Sequence, residues 1–343
     1  MKHGSRVHQY LLILVVALTS CSIRKKSRNH GADQVDDTNT TVVANDPDKQ
    51  STDMVVTREI EGEVVVIDKL LSGDPKILDG IQKISREPGD GSDFLKSCRN
   101  PTDSNGPLVE ALKAITGETD CVRAHDKLIY MREFWVTESL SIGDISLLSK
   151  LTNITLLHFA ANDLQDISPL ATLVNLETLH LDDNKINDLR PLAALPKLRS
   201  LNLSNNKISD LGPLSMIKTL AILDLDFNQI VDISPLQGLT ALQQLLLSGN
   251  LVQDVGSISS LNKLRELHLS SNAISDLSPL AGLNDLVVLH IVSVPVVSLA
   301  PIATLSLLTA LDARDTPVER GRTPENCPTN AASPAVQAFC AAP

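Results

Sequence analysis

The aspartates Asp144, Asp166, Asp188, Asp210, Asp232, Asp254 and Asp276 recur every 22 residues without insertion or deletion, and Ser298 takes the next slot. A second ladder, Asn162, Asn184, Asn206, Asn228, Asn250 and Asn272, runs in the same register four residues ahead of the aspartates. A fixed period of this length confines the chain to a solenoid, in which no unit can bury its apolar side alone and each closes on its neighbours. Such a fold presents a long surface, so binding is expected of it and chemistry is not.

One complete unit shows what each position does. It runs Leu176-Glu177-Thr178-Leu179-His180-Leu181-Asp182-Asp183-Asn184, then Ile186, Asp188-Leu189-Arg190-Pro191-Leu192 and Leu195. Leu179 and Leu181 alternate with polar residues, so they belong to a short parallel strand with its apolar side inward. Asn184 falls where the chain turns sharply, and a buried amide there can satisfy backbone groups of the turn and of the next coil. Asp188 precedes Pro191 by three residues, which suits the N-cap of a short helical or 3₁₀ turn on the opposite side. With 43% hydrophobic residues but only 2% aromatic ones, the core must be built from Leu, Ile, Val and Ala.

The resulting pattern, LxxLxLxxNxIxDLxPLxxL, resembles the 22-residue leucine-rich repeat of bacterial internalin-type proteins over just over half of the chain. The resemblance implies an α/β solenoid: a horseshoe with parallel strands on the concave face, short 3₁₀ or helical turns on the convex face, and helical cysteine-containing caps. It also implies adhesion or contact with a host or prey cell as a common role. The flanks, Cys98 to Cys121 and Asn326-Cys327-Pro328 to Cys340, are similar to the caps of exported leucine-rich-repeat lipoproteins of Gram-negative bacteria. Three departures stand out. Val255-Gly256-Ser257-Ile258 lacks the usual Pro, so a different convex turn is expected there. Val294 and Thr316 replace the Asn, and Ser298 replaces the Asp, as expected where a stack meets its cap.

Ahead of the repeats lie several segments. Lys2 and Arg6 precede the apolar run Leu11 to Leu18, the layout of a secretory signal over residues 1–20, too short for a permanent span. Leu18-Thr19-Ser20-Cys21 resembles the bacterial lipobox, which would make Cys21 the lipid-modified first residue; an ordinary signal with a chance Cys is the alternative. Ser22, rather than Asp, follows, which in that family points to the outer membrane, on its periplasmic side or at the cell surface. Residues 21–53 are polar and read as a tether, with Arg24, Lys25, Lys26 and Arg28 either touching anionic head groups or simply solvated. In residues 54–91, Met54-Val55-Val56 and Val64-Val65-Val66-Ile67 suit strands and Pro75 to Ile84 suits a helix, with no role assigned. Residues 92–139 form the N-terminal cap, with an N-cap at Asn105, Pro107 opening a helix, and a second helix over Val122 to Leu128. Repeats then span 140–318 and a C-terminal cap 319–343, closed by a helix begun at Ser333-Pro334.

Setting Cys21 aside leaves Cys98, Cys121, Cys327 and Cys340, an even number that in an exported chain reads as two disulfides. Four cysteines allow three pairings, and local pairs on either side of the repeats are the natural choice; a structural zinc site is the alternative, though no CxxC knuckle is present.

Function is expected on the exposed strand positions. One column runs His158, His180, Asn202, Asp224, Leu246, His268, His290, Asp312, and beside it run Ala160, Asp182, Ser204, Asp226, Ser248, Ser270, Val292, Arg314. Partner-binding residues are therefore expected to be His158, His180, Asp182, Asn202, Asp224, Asp226, His268 and His290. The histidines and aspartates could also hold a metal or form a relay, but a flat row of ligands suits neither a tetrahedral zinc site nor a nucleophile with its base. No cofactor is expected. Asp182, Asp183, Asp224 and Asp226 favour a basic or polar partner, a protein before a glycan. Trp and Tyr anchors are missing from these columns, with Phe227 the one large ring nearby. The net charge of −11 offers nucleic acid no basic stripe. The repeats point to a non-enzymatic binding module, and the resemblances imply that it is lipid-anchored in a bacterial envelope, with an envelope scaffold for the cell's own proteins as the alternative.

Overall fold

The computed structural model of the chain describes residues 40–43, 55–60, 63–66, 92–136 and 140–342. Two compact units divide the chain, Met1–Ser85 and Arg86–Pro343. In the first, β1 (Thr40–Val43) pairs antiparallel with β2 (Val55–Ile60), which pairs antiparallel with β3 (Glu63–Val66). Both valine runs are therefore strands, and β1 falls inside the stretch expected to be tether. The signal segment, Cys21 and the helix expected at Pro75 to Ile84 lie outside the described residues.

The second unit is the solenoid. Among its described residues, nine parallel strands stack in chain order: β4 (Glu133–Trp135), β5 (Leu156–His158), β6 (Thr178–His180), β7 (Ser200–Asn202), β8 (Ile222–Asp224), β9 (Gln244–Leu246), β10 (Glu266–His268), β11 (Val288–His290) and β12 (Ala310–Asp312). Each strand is three residues long, and its middle residue and the one two further on point inward, as with Leu179 and Leu181, both fully buried. On the opposite side the chain forms 3₁₀ turns such as Arg190–Ala194, whose Leu192 returns to the core.

The asparagine ladder joins coils. Nδ2 of Asn206 donates to Leu203 and Ser204 in its own turn and, 25 residues back, to the Leu181 carbonyl at 3.0 Å. Its Oδ1 accepts the Ile186 N–H at 2.9 Å. The bridge thus reaches the preceding coil, not the next one, because the turn's free groups face backward. The aspartates work one residue outside the expected cap. Asp188 Oδ1 accepts the Arg190 N–H at 2.9 Å while Leu189 holds the N-cap backbone position. The same bond recurs from Asp144 to Asp276, and Ser298 Oγ replaces the carboxylate for Ala300 at 3.2 Å. The turn lacking Pro does not differ: Gly256–Ser260 is also 3₁₀, since Asp254 still accepts the Gly256 N–H and Ser257 Oγ donates to the Ile233 carbonyl.

Both ends are closed. The helices α1 (Ser92–Arg99), α2 (Gly106–Thr116) and α3 (Cys121–Leu128) cover the first coils, burying Leu108, Leu112 and Leu128. Asn105 does not cap α2 with its side chain; Oδ1 accepts the Thr102 N–H and Nδ2 donates to Ser97 instead. Asp120 caps α3, accepting from Val122 and Arg123. Cys98 is bridged to Cys121, and Cys327 to Cys340. At the far end Thr316, in an asparagine slot, caps α4 (Pro317–Arg320), and Ser333 caps α5 (Pro334–Ala341).

Candidate functional site

The strand register sets the site. His158, His180, Asn202, Asp224 and Leu246 lie directly opposite one another on successive strands, as do His268, His290 and Asp312 further along. Strands in a sheet lie about 4.8 Å apart, so each column is a continuous strip. The two histidine pairs do not meet, being separated by β7, β8 and β9. Within each pair the rings stack: His158 on His180 with centroids 5.3 Å apart, His268 on His290 at 4.2 Å.

The strip begins one strand earlier than the sequence suggested. Trp135 on β4 pairs in register with His158 and stacks on its ring at 5.3 Å, so the concave face does carry a tryptophan anchor, 43% exposed. Trp135 stands 23 residues before His158, not 22, and that single extra residue hides it from a strict period. Alternation in Phe134-Trp135-Val136, with Phe134 and Val136 buried, is the signal that could have found it. Phe227 is also exposed, in a left-handed turn at φ 56. Its ring lies over Gly249, where any Cβ would come within 2.6 Å of Cδ1, so glycine clears its place.

Electrostatics on the strip are set by burial. Burial lifts the Asp224 carboxyl to about 7, assisted by the charges of Asp226 and Asp182. The same cause raises Asp182 and Asp226. Burial, then the charge of His158, holds His180 down at about 4. His290 is likewise lowered by burial and by His268. The expected acidic patch is therefore a group of half-sheltered carboxyls that gains from a cation. Hydrogen bonds orient most of it: Asn202 Oδ1 accepts the Ser204 N–H, Asp224 Oδ1 the Asp226 N–H, and Asp226 Oδ1 the Ser248 N–H. Asp182 Oδ1 and His158 Nδ1 are buried and lack such bonds. Among the described residues, no group of three or more His, Cys, Asp or Glu side chains converges on a point that could hold a metal ion.

Known proteins agree with this architecture. Residues 152–194, 174–216, 196–238 and 240–282 match the family described as Leucine Rich repeats (2 copies). An internalin (InlF) from Listeria monocytogenes is 29% identical, with a TM-score of 0.55, over 64% of this chain and 75% of that one. Internalin C2 from the same organism is 31% identical, with a TM-score of 0.57, over 61% of this chain and 92% of that one. A leucine-rich-repeat protein of Leptospira interrogans is 26% identical, with a TM-score of 0.52, over 54% of this chain and 49% of that one. No curated protein sequence matches the chain. A gapless ladder of coils, its asparagine bridges and these likenesses lead to one conclusion: the chain belongs to the leucine-rich-repeat proteins.

Proposed function

We propose that the chain is a non-enzymatic, envelope-anchored module that recognises a protein through the concave face of its solenoid. One observation carries this reading: Trp135, His158, His180, Asn202 and Asp224 stand in register on five adjacent strands, a half-buried strip headed by an exposed aromatic ring. Rigid side chains lose little entropy on binding, and tryptophan is prominent among the residues that dominate interfaces. Anchoring through a lipid on Cys21, probed by the lipobox-like Leu18-Thr19-Ser20-Cys21, completes the proposal, and the two local disulfides fit an exported chain. Adhesion or host or prey contact is the role we favour for such an anchored surface.

Affinity capture from envelope extracts and from target cells, with the full chain beside a His180→Ala, Asp182→Ala, Asp224→Ala variant, tests the face. A protein held by the wild type and lost by the folded variant supports the concave site; equal capture moves binding elsewhere. Metabolic labelling with a fatty-acid analogue should mark the wild type and spare Cys21→Ser. Protease shaving of intact cells should remove an adhesin, whereas a protected solenoid would favour an internal envelope scaffold.

A further inference from the structure

Asp182 is the one carboxylate of the strip whose expected partner has been taken away. One unit-pair further on, at the equivalent position, Asp226 Oδ1 accepts the Ser248 N–H at 2.5 Å, and Ser270 Oγ accepts the Val292 N–H at 3.0 Å. The donor that would serve Asp182 is the Ser204 N–H, and Asn202 Oδ1 holds it at 2.9 Å. Asp182 is left 6% exposed, in a column facing the concave surface, with Oδ1 buried and without a hydrogen-bond partner. A buried carboxylate in that condition costs stability until a donor reaches it.

The neighbourhood says which donor fits. His158, whose Nδ1 is also buried without a partner, lies close enough for its charge to be felt at Asp182. Asp182 in turn raises the Asp224 carboxyl from two strands away, so the two acids share one local field. Elsewhere in the chain, more exposed aspartates have a basic residue of their own: Lys185 for Asp163, Arg190 for Asp188, Arg314 for Asp312. The concave positions of β4 to β8, from Glu133 and Trp135 to Asp224 and Asp226, contain no Lys or Arg. Stacking covers both faces of His158 and leaves the outer faces of the end rings, Trp135 and His180, free of the stack; His180 stands two residues before the acid, and such an aromatic face favours a flat cation.

We propose that Asp182, set beside the Trp135–His158–His180 stack, receives the guanidinium of an arginine side chain supplied by the protein partner. The carboxylate takes the N–H groups, and the rings shelter the contact from water, which strengthens it. This inference rests on the protein-binding reading above and assigns that face the chemistry of its ligand.

Trp135 is the chain's single tryptophan, so its fluorescence reports on this end of the strip alone. The full chain is titrated with the blocked tripeptide acetyl-Gly-Arg-Gly-amide, with its lysine counterpart, and with the citrulline counterpart, which keeps the shape and removes the charge. A saturable Trp135 response is expected, at least tenfold weaker with citrulline and at least tenfold weaker for Asp182→Asn against the arginine peptide. Asp285→Asn, altering an exposed acid of a distant coil, should bind as wild type. A tighter lysine peptide would overturn the choice of guanidinium. No saturable response, an equal citrulline response, or an unweakened Asp182→Asn with a native circular-dichroism spectrum would overturn the assignment. A protein partner captured equally by wild type and Asp182→Asn would remove the arginine site and leave the binding module standing; capture unaffected by the triple variant would remove both.

Discussion

Asn206 shows how one side chain holds two coils. Its amide satisfies backbone groups in its own turn and in the coil before, all of them buried. Alanine at 206 strands the buried Ile186 N–H and removes one of the two amides that reach the Leu181 and Leu203 carbonyls, which keep Asn184 and Asn228; each net hydrogen bond is worth about 1 kcal/mol, with a further cost for the N–H left buried and unsatisfied. A loss of about 3 kcal/mol is expected in urea denaturation, against well under 1 kcal/mol for Lys207→Ala on the exposed side. Asp224 carries the opposite sign. Its folded pKa, near 7, lies above the unfolded value of 3.8, so the folded state holds the proton longer. Stability from this group is greatest below about pH 4 and falls as pH rises through 7. Asp224→Asn keeps the bond to the Asp226 N–H, as Asn202 does for Ser204, and should stabilise the protein at pH 8 by a few kcal/mol. The gain should vanish at pH 4; an equal gain at both pH values would rule out burial of the charge as its cause. His180 acts in reverse, because its folded pKa near 4 sits below the ordinary 6.5 and stability drops as pH falls through that window.

Among elements, the caps are where the solenoid's regular supports give way. The repeats end as Val294 and Thr316 abandon the asparagine bridge, and Thr316 turns to capping α4 while Leu299 N–H finds the Asn326 carbonyl in the cap. At the other end Cys98–Cys121 closes a loop of 23 residues and ties α1 to α3. In the chain-entropy account such a loop is worth about 3 kcal/mol. The double variant Cys98→Ser, Cys121→Ser should lose about that much in thermal unfolding while the repeats keep their far-ultraviolet circular dichroism. A variant as stable as wild type would show that packing of Leu108, Leu112 and Leu128, rather than the bridge, holds the cap.

At the scale of the molecule, a solenoid touches itself only through neighbouring coils, so protection should vary along its length. Amide hydrogen exchange is expected to be slowest in β7, β8 and β9, whose coils are bonded on both sides, and to quicken toward β4 and β12. Uniform exchange across all nine strands would mean that the unit opens as a single body, with caps as firm as the centre.

The ladders of Asn162 to Asn272 and Asp144 to Asp276 are visible to the eye, and with them came the class of fold, the strand positions and the concave columns, because period and burial are the same fact in a stack of identical coils. Both local disulfides followed from where the cysteines flank the repeats. Three features needed the tertiary structure. Trp135 joined the strip only through pairing of β4 with β5, across an offset one residue longer than the period. The asparagine bridge points to the preceding coil because that is where the turn leaves its backbone groups open. And Asp182 Oδ1 lacks a partner because Asn202, on the next strand, holds the Ser204 N–H. Periodicity places side chains in columns; which of them hydrogen-bond, stack or stay unsatisfied depends on competition between neighbours a few ångströms apart.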